Sequence, residues 1–217
     1  MGMLVMVLGQ SGSGKSSSMR NFESNEVGIF NVASKPLPFR KKLPLANGAN
    51  YLDIEKSLKA NKLHAYVVDD STYLMQFENF AKAKIKGFDK FTDMAVQFEH
   101  LILAAQSTDP NTIVYFLHHP QVDDTGHERP KTIGKMLDNQ LCVEGLFPIV
   151  IDCEVRDGAH VFVTSNDGQN LAKAPMEMFG QPTMDNDLKA VDTIIRDYYQ
   201  MQPLSKPNNK KKENQHA

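Results

Sequence analysis

The sequence predicts an α/β fold: a mainly parallel β-sheet with helices on both of its faces. Five short apolar runs, rich in Val and Ile, recur along the chain, and stretches of helical periodicity separate them. A strand with one wetted face alternates polar and apolar residues. These runs are nearly continuous, so both of their faces are buried. The 217 residues, 41% hydrophobic and 23% charged, suit one core of ordinary size.

The first strand is residues 3–8, Met-Leu-Val-Met-Val-Leu, and a helix is expected from Ser16 to about residue 21. Strands follow at 27–32 and 65–69, with a helix at 53–60 between them. Residues 71–86 form a helix that Gly87 stops. Residues 93–106 form another, with Thr92 as N-cap and Met94, Phe98, Leu101, Ile102 and Ala105 on one face. The fourth strand is 112–118 and the fifth lies near 149–151. Beyond residue 148 the D-G pairs at 157–158 and 167–168 mark turns between β-rich runs, so a C-terminal β-hairpin is expected there. Residues 185–200 close the fold as a helix. One domain is expected over residues 1–200, with a disordered basic tail at 201–217.

Bulk properties exclude several classes of protein. A net charge of -2 means that any nucleic-acid contact must come from a local patch. Two cysteines, Cys142 and Cys153, build no disulfide framework and suit a reducing compartment. The apolar run at the start is too short for a signal-peptide core or a membrane span, and no other stretch approaches 18 apolar residues. Met6 stands where a myristoylation signal needs Ser or Thr. The expected location is the cytoplasm, with no membrane partner.

Directly after the first strand, Gly9, Gln10, Ser11, Gly12, Ser13, Gly14, Lys15 and Ser16 fit G-x-x-x-x-G-K-[ST], the phosphate-binding P-loop, without a mismatch. Glycines allow a tight turn and a close approach of backbone to an anion. Converging N–H groups and the N-terminus of the next helix attract phosphate. Lys15 supplies a positive charge to the β- and γ-phosphates, and the Ser16 hydroxyl can ligate Mg²⁺. Ser17 completes the candidate set. The spacing G-x-x-G-x-G does not fit the dinucleotide fingerprint.

The third strand ends in Asp69-Asp70. Asp69 is the candidate Mg²⁺ ligand, and Asp70 the candidate group that orients or deprotonates water. Either acid can instead cap the next helix, as can Ser71. The fourth strand ends in His118-His119. In a RecA-like sheet of order 5-1-4-3-2 its tip faces the γ-phosphate, which makes His118 a candidate catalytic residue; otherwise it bonds to backbone. The histidines lack the paired spacing of a zinc site. Lys131 or Lys135, in the hydrophilic stretch after residue 119, can act on a neighbouring subunit's nucleotide. Phe39, amid Arg40, Lys41 and Lys42, can stack on a base, and Lys210, Lys211 and Lys212 can touch a nucleic-acid backbone.

The segments "LVMVLGQSGSGKSSSMRNF", "SKPLPFRKKL", "AYVVDDSTYLM", "VYFLHH", "KTIGKMLD" and "DNDLKAVDTIIRDYY" together resemble a phage-encoded P-loop family of AAA-domain proteins. That family is similar to the RecA-core ATPases of the phage Sak group. The resemblance implies ATP as ligand, Mg²⁺ at Ser16 and Asp69, and a homo-oligomeric ring or filament. It also implies single-stranded DNA as partner in recombination or annealing, within the host cytoplasm. One departure stands out. RecA-type enzymes carry a glutamate at the end of the strand after the P-loop helix, whereas here that strand runs into Asn31-Val32-Ala33-Ser34-Lys35. Asp70 takes that role, or the protein holds ATP without cycling. A small-molecule or nucleotide kinase is the remaining alternative, though the scattered arginines do not suggest an arginine-rich lid.

Overall fold

The structure, a computed structural model, describes residues 1–122, 126–134, 137 and 140–204. Its centre is a mostly parallel sheet flanked by helices. The strands are β1 (Met3–Leu8), β2 (Gly28–Asn31), β3 (Leu45–Asn47), β4 (Ala65–Asp69) and β5 (Ile113–His118). A short antiparallel pair, β6 (Pro120–Val122) and β7 (Glu128–Pro130), stands apart. The main sheet is completed by β8 (Ile149–Arg156), β9 (Ala159–Val163) and β10 (Thr183–Asp185). Its order among the described residues is β10-β9-β8-β1-β5-β4-β2-β3.

The five expected strands stand in the expected order 5-1-4-3-2, as β8-β1-β5-β4-β2, and the full order differs from the expectation by the strands added to them. The sheet has eight strands, and the additions lie at both edges. At one edge, β3 pairs in parallel with β2 over three residues. Three residues are too few to show a periodicity. At the other edge, the Asp157-Gly158 turn, both residues at positive φ, folds β9 back antiparallel on β8, and β10 adds to β9. The hairpin therefore extends the main sheet.

Side chains of each central strand divide between two cores, as the period of two requires. Leu4, Met6 and Leu8 of β1, with Val114 and Phe116 of β5, face one core. Helices α1 (Tyr51–Ala60), α2 (Thr72–Ala81) and α3 (Asp89–Gln106) cover it through Ile54, Leu58, Leu74, Met75, Phe98 and Ile102. Val5, Val7, Tyr115 and Ile151 face the other core. There they meet Met19 of a six-residue 3-10 helix, Ser16–Asn21, and Leu188, Val191 and Ile195 of α4 (Leu188–Tyr198). No helix among the described residues is long and apolar enough to cross a membrane.

Local chemistry sets the helix ends. Asn50 and Asp53 form a reciprocal capping box at α1, and Asp187 accepts from the Lys189 and Ala190 amides at α4. Helix α3 starts at Asp89 rather than behind the expected Thr92 cap, and Ser71 makes no capping bond at α2. Buried Arg196 bonds to Asp192 and donates to the carbonyls of His64 and Asn111, which precede β4 and β5. Tyr115 Oη donates to the same Asp192 at 3.0 Å. This network fixes α4 to the N-terminal ends of the strands, away from the ends where loops gather.

One buried acid is poorly served. Asp152 is 3% exposed; Oδ2 accepts from the Leu171 amide at 3.2 Å, and Oδ1 has no hydrogen-bond partner among the described residues. Burial, and next the charge of Glu128, push its pKa up to about 7 from an ordinary 3.8. The folded chain therefore binds this proton more tightly than the unfolded chain, and stability falls as pH rises from about 4 to about 7. Urea unfolding of wild type and Asp152→Asn at pH 5 and pH 8 checks this. The wild type should lose about 2–4 kcal/mol relative to the variant on going to pH 8. Parallel behaviour of the two proteins would refute it.

Candidate functional site

The site lies at the C-terminal ends of β1, β4 and β5, where an open α/β sheet leaves a crevice. The loop after β1 is held from behind by the β8–β9 hairpin. Ser13 O accepts from Cys153 Sγ at 3.2 Å and from His160 Nδ1 at 2.8 Å. Gly9 packs so closely on β8 that a Cβ there would lie 2.6 Å from the Cys153 carbonyl and 2.4 Å from Ser13 Oγ. Gly14 has φ +105°, and its Cβ would meet His160 Nδ1 at 2.9 Å. Two of the motif's glycines are thus required by contact with the hairpin, Gly14 by its backbone angle as well.

Lys15 is 5% exposed and folds back over the loop. Its ammonium donates to Gly9 O at 2.5 Å and to Gln10 O at 3.0 Å, and lies 3.5 Å from His119 Nδ1. Burial lowers its pKa, against the raising influence of Cys153, Asp70 and Asp69. Ser16 Oγ donates to Asp69 Oδ1 at 2.8 Å. Burial first, and the neighbouring Asp70 second, push the Asp69 pKa up to about 6, with the Ser16 bond opposing. The helix behind the loop is a six-residue 3-10 segment rather than a long α-helix, so its dipole is small. Attraction for an anion therefore rests on the loop and on Lys15.

Asp70 sits at the turn between β4 and α2 with φ +60°, its backbone supported by the bond from Ser71 N to Leu117 O. Its Oδ2 pairs with Lys35 Nζ at 2.5 Å, and its Oδ1 accepts from His119 Nε2 at 3.3 Å. Burial alone would raise its pKa. The bonds from His119 and Lys35 outweigh burial, and the net shift is downward, so Asp70 is a carboxylate at neutral pH.

These groups line a cleft of about 240 Å³. Of the expected residues, Ser11, Gly12, Gly14, Lys15, Ser16, Ser17, Asp69 and Asp70 border it; Gly9, Gln10 and Ser13 shape the loop without lining it. Five residues that the sequence reading did not propose for the site also border it: Lys35, Pro36, Pro38, His119 and His160. His118 lies elsewhere. It is fully buried, accepts at Nδ1 from Ser71 Oγ at 2.9 Å, donates from Nε2 to Lys131 O at 2.9 Å, and packs by Phe98. Burial lowers its pKa to about 4, so it is neutral at pH 7. Strand alternation explains the exchange: His118 continues the face of Phe116, and His119 leaves the strand towards the cleft.

The other expected contacts are scattered. Phe39 is packed against the second core and Lys41 pairs with Glu23 at 2.8 Å, so this patch is partly engaged within the fold. Lys131 donates its amide to His119 O. Lys135 and the lysines at 210–212 lie outside the described residues. Among the described residues no group of three or more His, Cys, Asp or Glu side chains is arranged to hold a metal ion. No family model matches the chain, and no curated protein matches it.

The close packing of Gly9 gives a direct check. Gly9→Ala must displace the Cys153 carbonyl or the loop, at a cost of about 1–3 kcal/mol. Denaturant unfolding should show that loss, whereas Gly12→Ala, where a Cβ meets nothing within 4 Å, should lose less, through its φ of +83° alone.

Proposed function

We propose that the chain is a P-loop nucleoside triphosphatase that binds ATP with Mg²⁺ in this cleft and hydrolyses it. The observation that supports this reading best is the 2.8 Å bond between Ser16 Oγ and Asp69 Oδ1, beside a glycine loop carrying Lys15. Two hard oxygens at that separation match the edge of an octahedral magnesium shell, about 2.9 Å. Two protein oxygens suffice, because Mg²⁺ keeps waters and takes the rest of its ligands from phosphate. When bound, the ion neutralises charge on the β- and γ-phosphates.

The protein's own groups have distinct tasks. Lys15, released from the carbonyls of Gly9 and Gln10, interacts with the β- and γ-phosphate oxygens. Asp70, ionised and held by His119, orients a water and takes its proton. The water oxygen bonds to the γ-phosphorus, the bond from that phosphorus to the bridging oxygen breaks, and ADP leaves with the electron pair. His118, buried and neutral, holds the Ser71 hydroxyl and the Lys131 carbonyl, and so supports the strand end that carries His119.

A surface feature favours single-stranded DNA as the partner that the family resemblance implies. Tyr73, Phe77 and Phe80 stand at i, i+4 and i+7 along α2, one face of the helix. Phe77 and Phe80 are 49% and 78% exposed, and Phe88 in the following turn is 85% exposed. Lys84 and Lys86 are exposed between them. Exposed rings among lysines offer bases a stacking surface and the backbone a counter-charge. The alternatives differ in outcome. A nucleotide kinase transfers phosphate to an acceptor, and a non-cycling binder holds ATP with no phosphate release.

Two measurements test this reading. Calorimetry with MgATP should give binding by the wild type and at least 100-fold weaker binding by Lys15→Ala, because a charge-assisted contact to the triphosphate is lost. No heat from the wild type would end the proposal. Phosphate release should rise when single-stranded DNA is added, and Phe80→Ala with Phe88→Ala should reduce that rise several-fold while nucleotide affinity is kept.

A further inference from the structure

Lys35 is the second permanent cation on the cleft, and no part of the P-loop motif accounts for it. It follows Ser34, whose φ of +54° turns the chain out of β2. Its backbone is fixed. Asn31, 1% exposed, donates Nδ2 to Lys35 O at 2.7 Å and accepts at Oδ1 from Lys35 N at 3.3 Å. The Asn31 amide is fixed in turn by Asn47 Oδ1 at 2.7 Å, and Pro36 follows at once. The Lys35 side chain, by contrast, is 56% exposed, and its tip meets Asp70 Oδ2 at 2.5 Å and the Tyr73 ring, 5.5 Å from Nζ to centroid. A rigid base with a long, wetted side chain is free to turn about its own torsions.

Charge makes that freedom consequential. With Lys35 on Asp70, the cleft holds one cation in the loop, Lys15, opposite two carboxylates. A terminal phosphate entering beside Asp70 would meet a like charge at close range. A diphosphate ends one phosphate earlier and does not.

Resting on the nucleotide reading above, we propose that Lys35 recognises the terminal phosphate: it leaves Asp70 for the γ-phosphate oxygens when a triphosphate enters. The move does two things together. It neutralises the phosphate that Asp70 would repel, and it frees one Asp70 oxygen to hold the attacking water. Lys35 thereby distinguishes triphosphate from diphosphate, and the pair Lys35–Asp70 is the resting state of that device. Lys35 lies in the turn that follows β2, the strand after which RecA-type enzymes carry an acid, so this segment contributes to the same phosphate by opposite means.

Calorimetry with a non-hydrolysable ATP analogue and with ADP, each with Mg²⁺, tests the assignment. Lys35→Ala should weaken the analogue roughly 10- to 100-fold, the worth of one charge-assisted contact, and change ADP affinity less than about twofold. Lys35→Arg should restore most of the preference. Retained ADP binding also shows that the variant is folded. An unchanged ratio of the two affinities, or an equal fall in both, would overturn the inference while leaving the nucleotide site intact. Absence of binding to either nucleotide by the wild type would overturn the site itself and the inference with it. A second measurement uses Asp70→Asn, which releases Lys35 beforehand. The triphosphate preference should rise in that variant and rise less when Lys35 is also Ala. An equal rise in both backgrounds would count against the exchange.

Discussion

The bond from Ser16 to Asp69 joins two strands that are not neighbours. β1 and β4 are separated by β5, and their carboxyl ends meet over its tip. That meeting constrains everything near it. The strands must be parallel and in register, with Leu8 level with His118 and Val68 level with Phe116. The loop after β1 must turn back at once instead of rising away, which requires Gly9 against Cys153. The chain after β5 must leave the cleft open, and it passes at Pro120 into the separate β6–β7 pair. Ser16 reaches a carboxylate only because these three conditions hold together.

A chain of polar contacts runs across the mouth of the cleft: Lys35 to Asp70, Asp70 to His119, and His119 towards Lys15. Burying two adjacent acids is expensive unless each is paired. Asp70 is paired and stays ionised, whereas Asp69, served by one hydroxyl, has its pKa pushed up to about 6. The two carboxylates are therefore unlike despite being neighbours in sequence. Asp69 is the one with unmet demand for positive charge, which suits a cation ligand. Asp70 is the one already supplied with it, which suits a group that must give up a cation to act.

Sequence alone made the central strands legible, because runs buried on both faces are apolar throughout. It made the glycine loop legible too, since each motif position is defined by spacing. The D-G pair at 157–158 was readable as a turn, but its result was not: the hairpin carries His160 and Cys153 to the back of the loop. Such a contact depends on which sheet edge the hairpin joins. The choice of His118 over His119 was open to correction from the sequence itself, since alternation from Phe116 directs residue 118 into the α3 core. Lys35 gave no local signal. Its position depends on Asn31, whose amide is fixed by Asn47 on the edge strand β3, a three-residue strand with no readable pattern. The expected α-helix after the loop is a 3-10 segment, and six residues are too few for periodicity to separate the two.

Tyr73 connects the cleft to the outer face of α2. Its ring lies 5.5 Å from Lys35 Nζ, 5.9 Å from the His119 ring and 5.4 Å from the Phe77 ring. Phe77 in turn shares its helix face with Phe80. A path of touching side chains does not by itself couple two sites; coupling needs an element with two arrangements that both sites bias. In the proposed reading Lys35 is that element, bound either to Asp70 or to phosphate. The Tyr73 ring stabilises a cation above it, and a partner that presses on Phe77 and shifts the ring changes the support for the first arrangement but not for the second. In that reading, occupation of the aromatic face would alter the equilibrium at the cleft through the contact between Lys35 and the Tyr73 ring.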